Sequence, residues 1–163
     1  MTKDKIKTLK NLKVSINQAK AEGKSIVFTN GCFDLLHVGH VSYLEKAAAL
    51  GTILVVAINS DDSVRKLKGR GRPLYSERER ALVLAALECV DYVTVFKEKT
   101  PSRVIKALKP NILVKGGDWS LKSIVGKTFV EAYGGKVASL PFVKGFSTTA
   151  LITKMKNIEQ RNS

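Results

Sequence analysis

Five short, almost unbroken apolar runs, separated by stretches of helical character, constrain this chain more than any other feature. They are Ser25-Ile26-Val27-Phe28-Thr29, Thr52 to Ile58, Asp91 to Phe96, Asn111 to Val114 and Lys136 to Leu140. A strand that is apolar at successive positions has no face to offer water, so it belongs in a parallel sheet covered on both sides. Between the runs, helical stretches are predicted at about 40–50, 76–88, 101–109 and 121–133. Pro101 after Thr100 suits a helix start, and Gly134-Gly135 a helix end. Ahead of the first run, Ile6, Leu9, Leu12, Val14, Ile16 and Ala19 recur with a loose helical period that stops at Gly23. This predicts an N-terminal amphipathic helix on the domain edge.

Strand and helix in alternation imply one Rossmann-like, doubly wound α/β domain, whose ligand lies beyond the carboxyl ends of the strands. The expected division is an N-terminal helix over 1–23, a core over 24–152, and a helix end and tail over 153–163. A length of 163 residues suits one domain. No apolar run approaches the ~18 residues that suggest a membrane helix. The basic start, Met1 to Lys7, is not followed by the apolar stretch of a secretory signal. Cys32 and Cys89 are the only cysteines, so no disulfide framework is expected and a reducing cytoplasm fits. The net charge of +14 favours acidic partners: nucleic acid, an anionic membrane or phosphorylated ligands. An aromatic content of 7% argues against a single-strand-binding surface, which interleaves aromatics with cations.

The first strand runs into Thr29-Asn30-Gly31-Cys32-Phe33-Asp34-Leu35-Leu36-His37-Val38-Gly39-His40. His37 and His40, three apart at a helix start, share one face, and Gly39 between them lets a ligand approach the backbone. A helix N-terminus offers free N–H groups to a phosphate, and two imidazoles can donate to oxygens that gain charge. The competing reading is zinc held by Cys32, His37 and His40. It lacks the usual fourth ligand from a second cluster, and Cys89 falls in an apolar helix end. These two are the only histidines in the chain, and both lie in this one motif.

Phe33 to His40 resembles the HxGH motif of the cytidylyltransferase-like nucleotidyltransferases. The preceding Phe28-Thr29-Asn30-Gly31-Cys32 is similar to the heptose 1-phosphate adenylyltransferase family, the adenylyltransferase half of bifunctional heptose kinase/adenylyltransferases. The resemblance spans about residues 24–152. It includes Asn59 to Val64, Leu67-Lys68-Gly69, Arg72-Pro73, Val90 to Val93, Lys115-Gly116-Gly117-Asp118 and Gly145 to Thr149. It implies nucleotide contacts by Thr29, Asn30, Gly31, Cys32, Phe33, Gly39, Lys115 and Gly116. Asp34 would orient a metal-bound phosphate or the incoming substrate; turn capping is its plainer role.

The later motifs also make physical sense on their own. Lys68 lies in the Gly/Arg stretch 68–73, expected to be a mobile loop that closes over a triphosphate, with Arg70 and Arg72 as phosphate forks. Ser147-Thr148-Thr149 opens the last helix, where hydroxyls hold phosphate or simply cap, and Lys144-Gly145 precedes them. Asp118 suits sugar or ribose hydroxyls, and Trp119 a lid, a stacking surface or plain packing. Val125-Gly126-Lys127-Thr128 looks like the end of a phosphate-binding loop. However, Leu121 stands where its first glycine belongs, and the segment is expected in mid-helix.

The reaction implied by the resemblance joins AMP from ATP to D-glycero-β-D-manno-heptose 1-phosphate, releasing pyrophosphate with Mg²⁺ neutralising charge. His37 and His40 would contact the triphosphate and Lys68 the reacting phosphorus. No protein side chains are assigned to the metal. The positive charge would serve two anionic substrates. A separate heptose kinase would supply the sugar phosphate, and the family suggests a homodimer, with neither membrane nor nucleic acid as partner. The nearest alternative is a cytidylyltransferase acting on glycerol 3-phosphate or a similar alcohol phosphate. Those enzymes carry arginines where this chain has Glu88 and near Phe142. The alternative from another class is a non-catalytic basic nucleic-acid-binding module.

Overall fold

In a computed structural model, which describes residues 1–117, 123–141 and 145–161, five parallel strands form one sheet in the order β3-β2-β1-β4-β5. They are β1 (Ile26–Gly31), β2 (Ile53–Asn59), β3 (Tyr92–Phe96), β4 (Ile112–Gly116) and β5 (Lys136–Leu140). Each apolar run became a strand. Every residue of β2 is buried, as a central strand covered on both faces requires. β1 pairs with β2 on one side (Val27 opposite Leu54) and with β4 on the other (Val27 opposite Ile112). The strand order therefore reverses beside β1, which is where a crevice opens at the carboxyl edge.

Among the described residues are seven α-helices: α1 (Leu9–Ala21), α2 (Val38–Ala48), α3 (Asp61–Lys68), α4 (Glu77–Ala85), α5 (Ser102–Leu108), α6 (Lys127–Ala132) and α7 (Thr148–Arg161). One core layer sets α1, α5 and α6 against the sheet through Leu12, Ile16, Val104, Ile105, Leu108 and Val130. The opposite layer sets α2 and α4 against it through Tyr43, Leu44, Ala47, Ala81 and Leu84.

Several expectations need correction. The N-terminal helix is broken. A 3₁₀ turn covers Thr2–Lys5, Ile6 then pairs with Val93 of β3, and α1 starts only after Thr8, whose side chain accepts from the Asn11 amide. α1 is amphipathic as expected: Leu12 and Ile16 are fully buried in the core while its other face is exposed. α3 was not expected as a helix, although Ser60 caps it, Asp61 and Asp62 fill its first turn and Arg65, Lys66 and Lys68 its last. Finally, α6 starts at Lys127, so the look-alike phosphate loop lies at a helix start and not in mid-helix. Its Lys127 is committed to Glu131. α4 likewise ends at Ala85, so Cys89 sits beyond the helix in the turn before β3.

Candidate active site

β1 delivers the chain to the switch point, where Phe33 adopts a left-handed backbone (φ 46°). For a bulky residue this conformation is strained and needs surrounding support. The support is packing: Phe33 is buried, and its ring lies 5.3 Å from that of His40. A Cβ on Gly31 would stand 2.9 Å from the Phe33 ring, so glycine is what lets the aromatic fold back over the strand end.

His37 is the N-cap of α2, in extended backbone, and makes no capping bond through its side chain. Its ring stacks on His40 with centroids 3.9 Å apart and 24° between planes. Phe146, just ahead of α7, extends the stack at 6.4 Å from His37. Gly39 makes room for this group: a Cβ there would meet His37 Nδ1 at 3.0 Å and Phe146 Cβ at 3.2 Å. The Nδ1 atoms of both histidines are buried without a hydrogen-bond partner among the described residues. Two unpartnered polar atoms aimed from one helix start are the strongest sign of a ligand in the fold.

Burial holds both imidazoles neutral. It lowers His37, and it pushes His40 down to about 4, helped by the neighbouring His37 and opposed by a hydrogen bond to the Leu35 backbone. A His lowered on folding takes up fewer protons folded than unfolded. Its contribution to stability is therefore complete above the ordinary value of 6.5 and is lost as pH falls toward about 4. A bound polyphosphate favours the charged form and opposes that loss. The melting temperature should therefore fall between pH 6.5 and 4, less steeply with saturating triphosphate, in thermal melts across that range. A flatter profile in His40→Gln would agree; an unchanged slope would not.

Beside Cys32, at the end of β1, is a group of cations. The Cys32 thiol is raised by burial, against the opposing fields of Lys68, Arg80, Lys115 and Arg72. Those four positive charges therefore converge on the end of β1. Lys115, on β4, donates to the Asn30 carbonyl at 3.4 Å, and burial lowers its ammonium. Lys68 is exposed at the end of α3, where Gly69 turns the chain with φ 89°.

Several residues expected to touch ligand are engaged within the protein. Thr29 is fully buried and its hydroxyl pairs with Tyr43 at 2.6 Å, which fastens α2 to β1 beneath the site. Asp34 has both oxygens occupied: Oδ2 takes Arg72 Nε at 2.5 Å, and Oδ1 accepts the Leu74 and Tyr75 amides at 2.7 and 3.2 Å. Asp34 and Arg72 thus tie the loop after α3 to the histidine segment, so only its exposed first part, Gly69 to Gly71, is free of this tether. The Cys32 thiol lies 3.9 Å from Asn59 Oδ1. Ser147 Oγ accepts from the Ala150 amide, the capping role, while Thr148 donates to the Leu35 carbonyl at 3.2 Å. Thr149 is exposed. Gly116 is buried at the end of β4, and the Gly117 amide donates to Leu140. Asp118, Trp119 and Lys144 lie outside the described residues. No group of three His, Cys, Asp or Glu side chains among the described residues could hold a metal, so the zinc alternative has no support.

Two residues without an expected role stand out. Phe146 completes the aromatic stack. Arg80 is a fully buried guanidinium that donates to the carbonyls of Tyr75, Cys32 and Asn59 and to Asp61. It joins the ends of β1 and β2, the start of α3 and the tethered loop. The spacing of Arg80 with Leu84 places it on the buried face of α4, a legible but ambiguous signal.

A neutral histidine pair at a helix start, converging cations and the β1/β4 crevice define an α/β nucleotidyltransferase. A family model described as cytidylyltransferase-like matches residues 28–154, and the chain belongs to that family. Bifunctional protein HldE of Geobacter metallireducens is 59% identical over 151 residues, and that of Pelobacter propionicus 58%. In both cases the match covers 93% of this chain but only 31% of the relative. A lipopolysaccharide core biosynthesis protein from Thermoplasma volcanium superposes with a TM-score of 0.62 at 27% identity, covering 76% of this chain and all of that one. The pantoate-beta-alanine ligase of Francisella tularensis shares the fold (TM-score 0.60, 17% identity, 93% and 76% covered). The model contains no helix long and apolar enough to cross a membrane among the described residues.

Proposed function

We propose that this domain transfers AMP from ATP to D-glycero-β-D-manno-heptose 1-phosphate, giving ADP-heptose and pyrophosphate for lipopolysaccharide core synthesis. The observation that carries the reading is the stacked, neutral pair His37/His40 with its two unpartnered Nδ1 atoms. The choice of sugar and base is supported by the likeness to the HldE proteins over nearly the whole chain. A sugar-phosphate oxygen attacks the α-phosphorus of ATP in line. The new P–O bond forms as the bond to pyrophosphate breaks, and pyrophosphate leaves with the electron pair. The attacking phosphate is already ionised near neutral pH, so the protein supplies position and charge rather than a base.

In this scheme His37 donates to a triphosphate oxygen, His40 does so once the anion has drawn a proton onto its free Nδ1, and Lys68 stabilises charge at the five-coordinate phosphorus. The head of α7, Ser147 to Thr149, holds the β- and γ-phosphates. Asn30 to Phe33, Gly39, Lys115 and Gly116 line the nucleotide, and Asp118 and Trp119 serve the sugar or base. Asp34 and Arg72 act by holding the loop that follows Lys68. Magnesium enters with the triphosphate as part of the substrate, since no described cluster fits a resident ion.

The test is pyrophosphate release from each of the four nucleoside triphosphates with a panel of sugar and alcohol phosphates. ATP with heptose 1-phosphate should be the productive pair. His37→Ala or His40→Ala should lower its turnover by roughly 10²–10³-fold, the loss typical of one transition-state donor, with the melting temperature largely kept. Release with CTP and glycerol 3-phosphate instead, or with no pair, would overturn the proposal.

A further inference from the structure

The site accounts for few of the chain's 28 cations. Segments 1–24 and 101–109, which build the layer of α1 and α5, carry ten lysines and arginines against two acids, Asp4 and Glu22. Segments 38–50 and 76–91, which build the opposite layer of α2 and α4, carry three cations against five acids. A net charge of +8 therefore lies on that one face, away from the nucleotide crevice at the carboxyl edge of the sheet, with as much again outside both layers. Attraction of the two substrates does not explain it.

The cations of the basic layer divide in two. Lys5, Lys7, Lys20, Lys24 and Arg103 have partners: carbonyls of Leu87 and Val90, the Tyr92 ring, carbonyls of Leu108 and Lys109, Glu22 and Glu98. Lys10 and Lys13 on α1, and Lys106 and Lys109 at the end of α5, are exposed with no acidic partner among the described residues, as is Lys3 ahead of α1. The two helices are neighbours in one core layer, so these four charges share one outward surface. Both acids are already spent, Asp4 on the N-terminal amine and Glu22 on Lys24. Val14, next to Lys13 in the chain, is 65% exposed.

We propose that the α1–α5 face docks the chain peripherally on an anionic lipid bilayer. The chemistry of the face favours this occupant over nucleic acid. Its free cations are all lysines, point charges that suit a diffuse negative plane. Bidentate arginine forks, which grip individual phosphates and base edges, are missing from the free set. No aromatic side chain of α1 or α5 is available for base stacking. Lysines near an anionic leaflet each add attraction within a Debye length, and a flat pair of helices brings several within that distance at once. Nothing crosses the bilayer in this arrangement, and the crevice stays open at the side of the contact.

Cosedimentation of the full chain with phosphatidylcholine vesicles, with and without about one third phosphatidylglycerol, tests this. Binding should need the anionic lipid, fall away by roughly 0.5 M salt, and drop at least about ten-fold in Lys10→Glu/Lys13→Glu/Lys106→Glu. The same charge reversal at Lys46 and Arg78, on the opposite layer, should leave it unchanged. If the triple reversal unfolds, the milder Lys10→Gln/Lys13→Gln/Lys106→Gln carries the comparison with a smaller loss. Equal binding to neutral vesicles, wild-type binding by both triple variants, or release from vesicles by duplex DNA at equal phosphate concentration would overturn the proposal, the last in favour of nucleic acid.

Discussion

Arg80→Met should destabilise the domain by about 3–5 kcal/mol, the usual result of removing one partner from a buried ion pair, and should disable the site as well. Methionine fills most of the volume but donates nothing. The carbonyls of Cys32, Asn59 and Tyr75 and the carboxylate of Asp61 all lose a donor at once. Each buried acceptor left unpaired costs about 1–3 kcal/mol, though relaxation and water entry recover part of the sum. For a domain of this size the melting temperature should fall by roughly 10 °C. Arg80→Lys should recover little, because one ammonium cannot reach four acceptors arranged around a planar fork. Denaturant titration of both variants checks this. A loss below about 1 kcal/mol would mean that the guanidinium is not the tie between the two strand ends.

The second large effect separates activity from stability. Gly39→Ala should lower turnover by roughly ten-fold, since the rings must give by less than the ~1 Å displacement that costs about 10²-fold. The melting temperature should barely change. Alanine is the better helix former by about 1 kcal/mol, which offsets the crowding. The added methyl has no space: it would press on the His37 ring and on the Phe146 side chain within 3.2 Å. Rings are displaced more readily than helix backbone, so the imidazole stack should open while α2 holds. Turnover and melting curves on the same preparation decide the matter. A stable, fully active Gly39→Ala would show that the stack can shift without consequence.

Much of the fold could be read in advance because its signals are local. Apolar runs such as Ile53 to Ile58 have no other use than a sheet covered on both faces, and each became a strand. Gly39 between His37 and His40 was equally legible, since spacing on a helix fixes their shared face. What was not legible depends on tertiary pairing. Asp34 reads as a ligand-facing acid, yet both its oxygens meet a loop some forty residues away. Arg80 lies in an ordinary Ser-x-x-Glu capped helix, and only the meeting of two strand ends shows why a charge is buried there. Phe33 in left-handed backbone has no sequence signal at all, since glycine or asparagine would be expected there. α3 is the opposite case: its Ser60 cap and charge gradient stand in the sequence, but with only Val64 and Leu67 apolar it is too short and polar to show a helical period. Net charge summed over the chain carries no direction, and only the layering of helices shows how the faces differ.

The burial of one face of α1 separates the residues that the family model matches from the unit that folds. That match starts at residue 28, after this helix has ended. Yet Leu12 and Ile16 cover Ile26, Phe28, Val55 and Phe96 from one side. A fragment cut at the family boundary would keep every residue of the crevice and lay bare a broad oily plane of sheet. Such a fragment would self-associate through that plane before its chemistry could be measured. The first two dozen residues are thus part of the minimal autonomous domain, although no ligand contact depends on them.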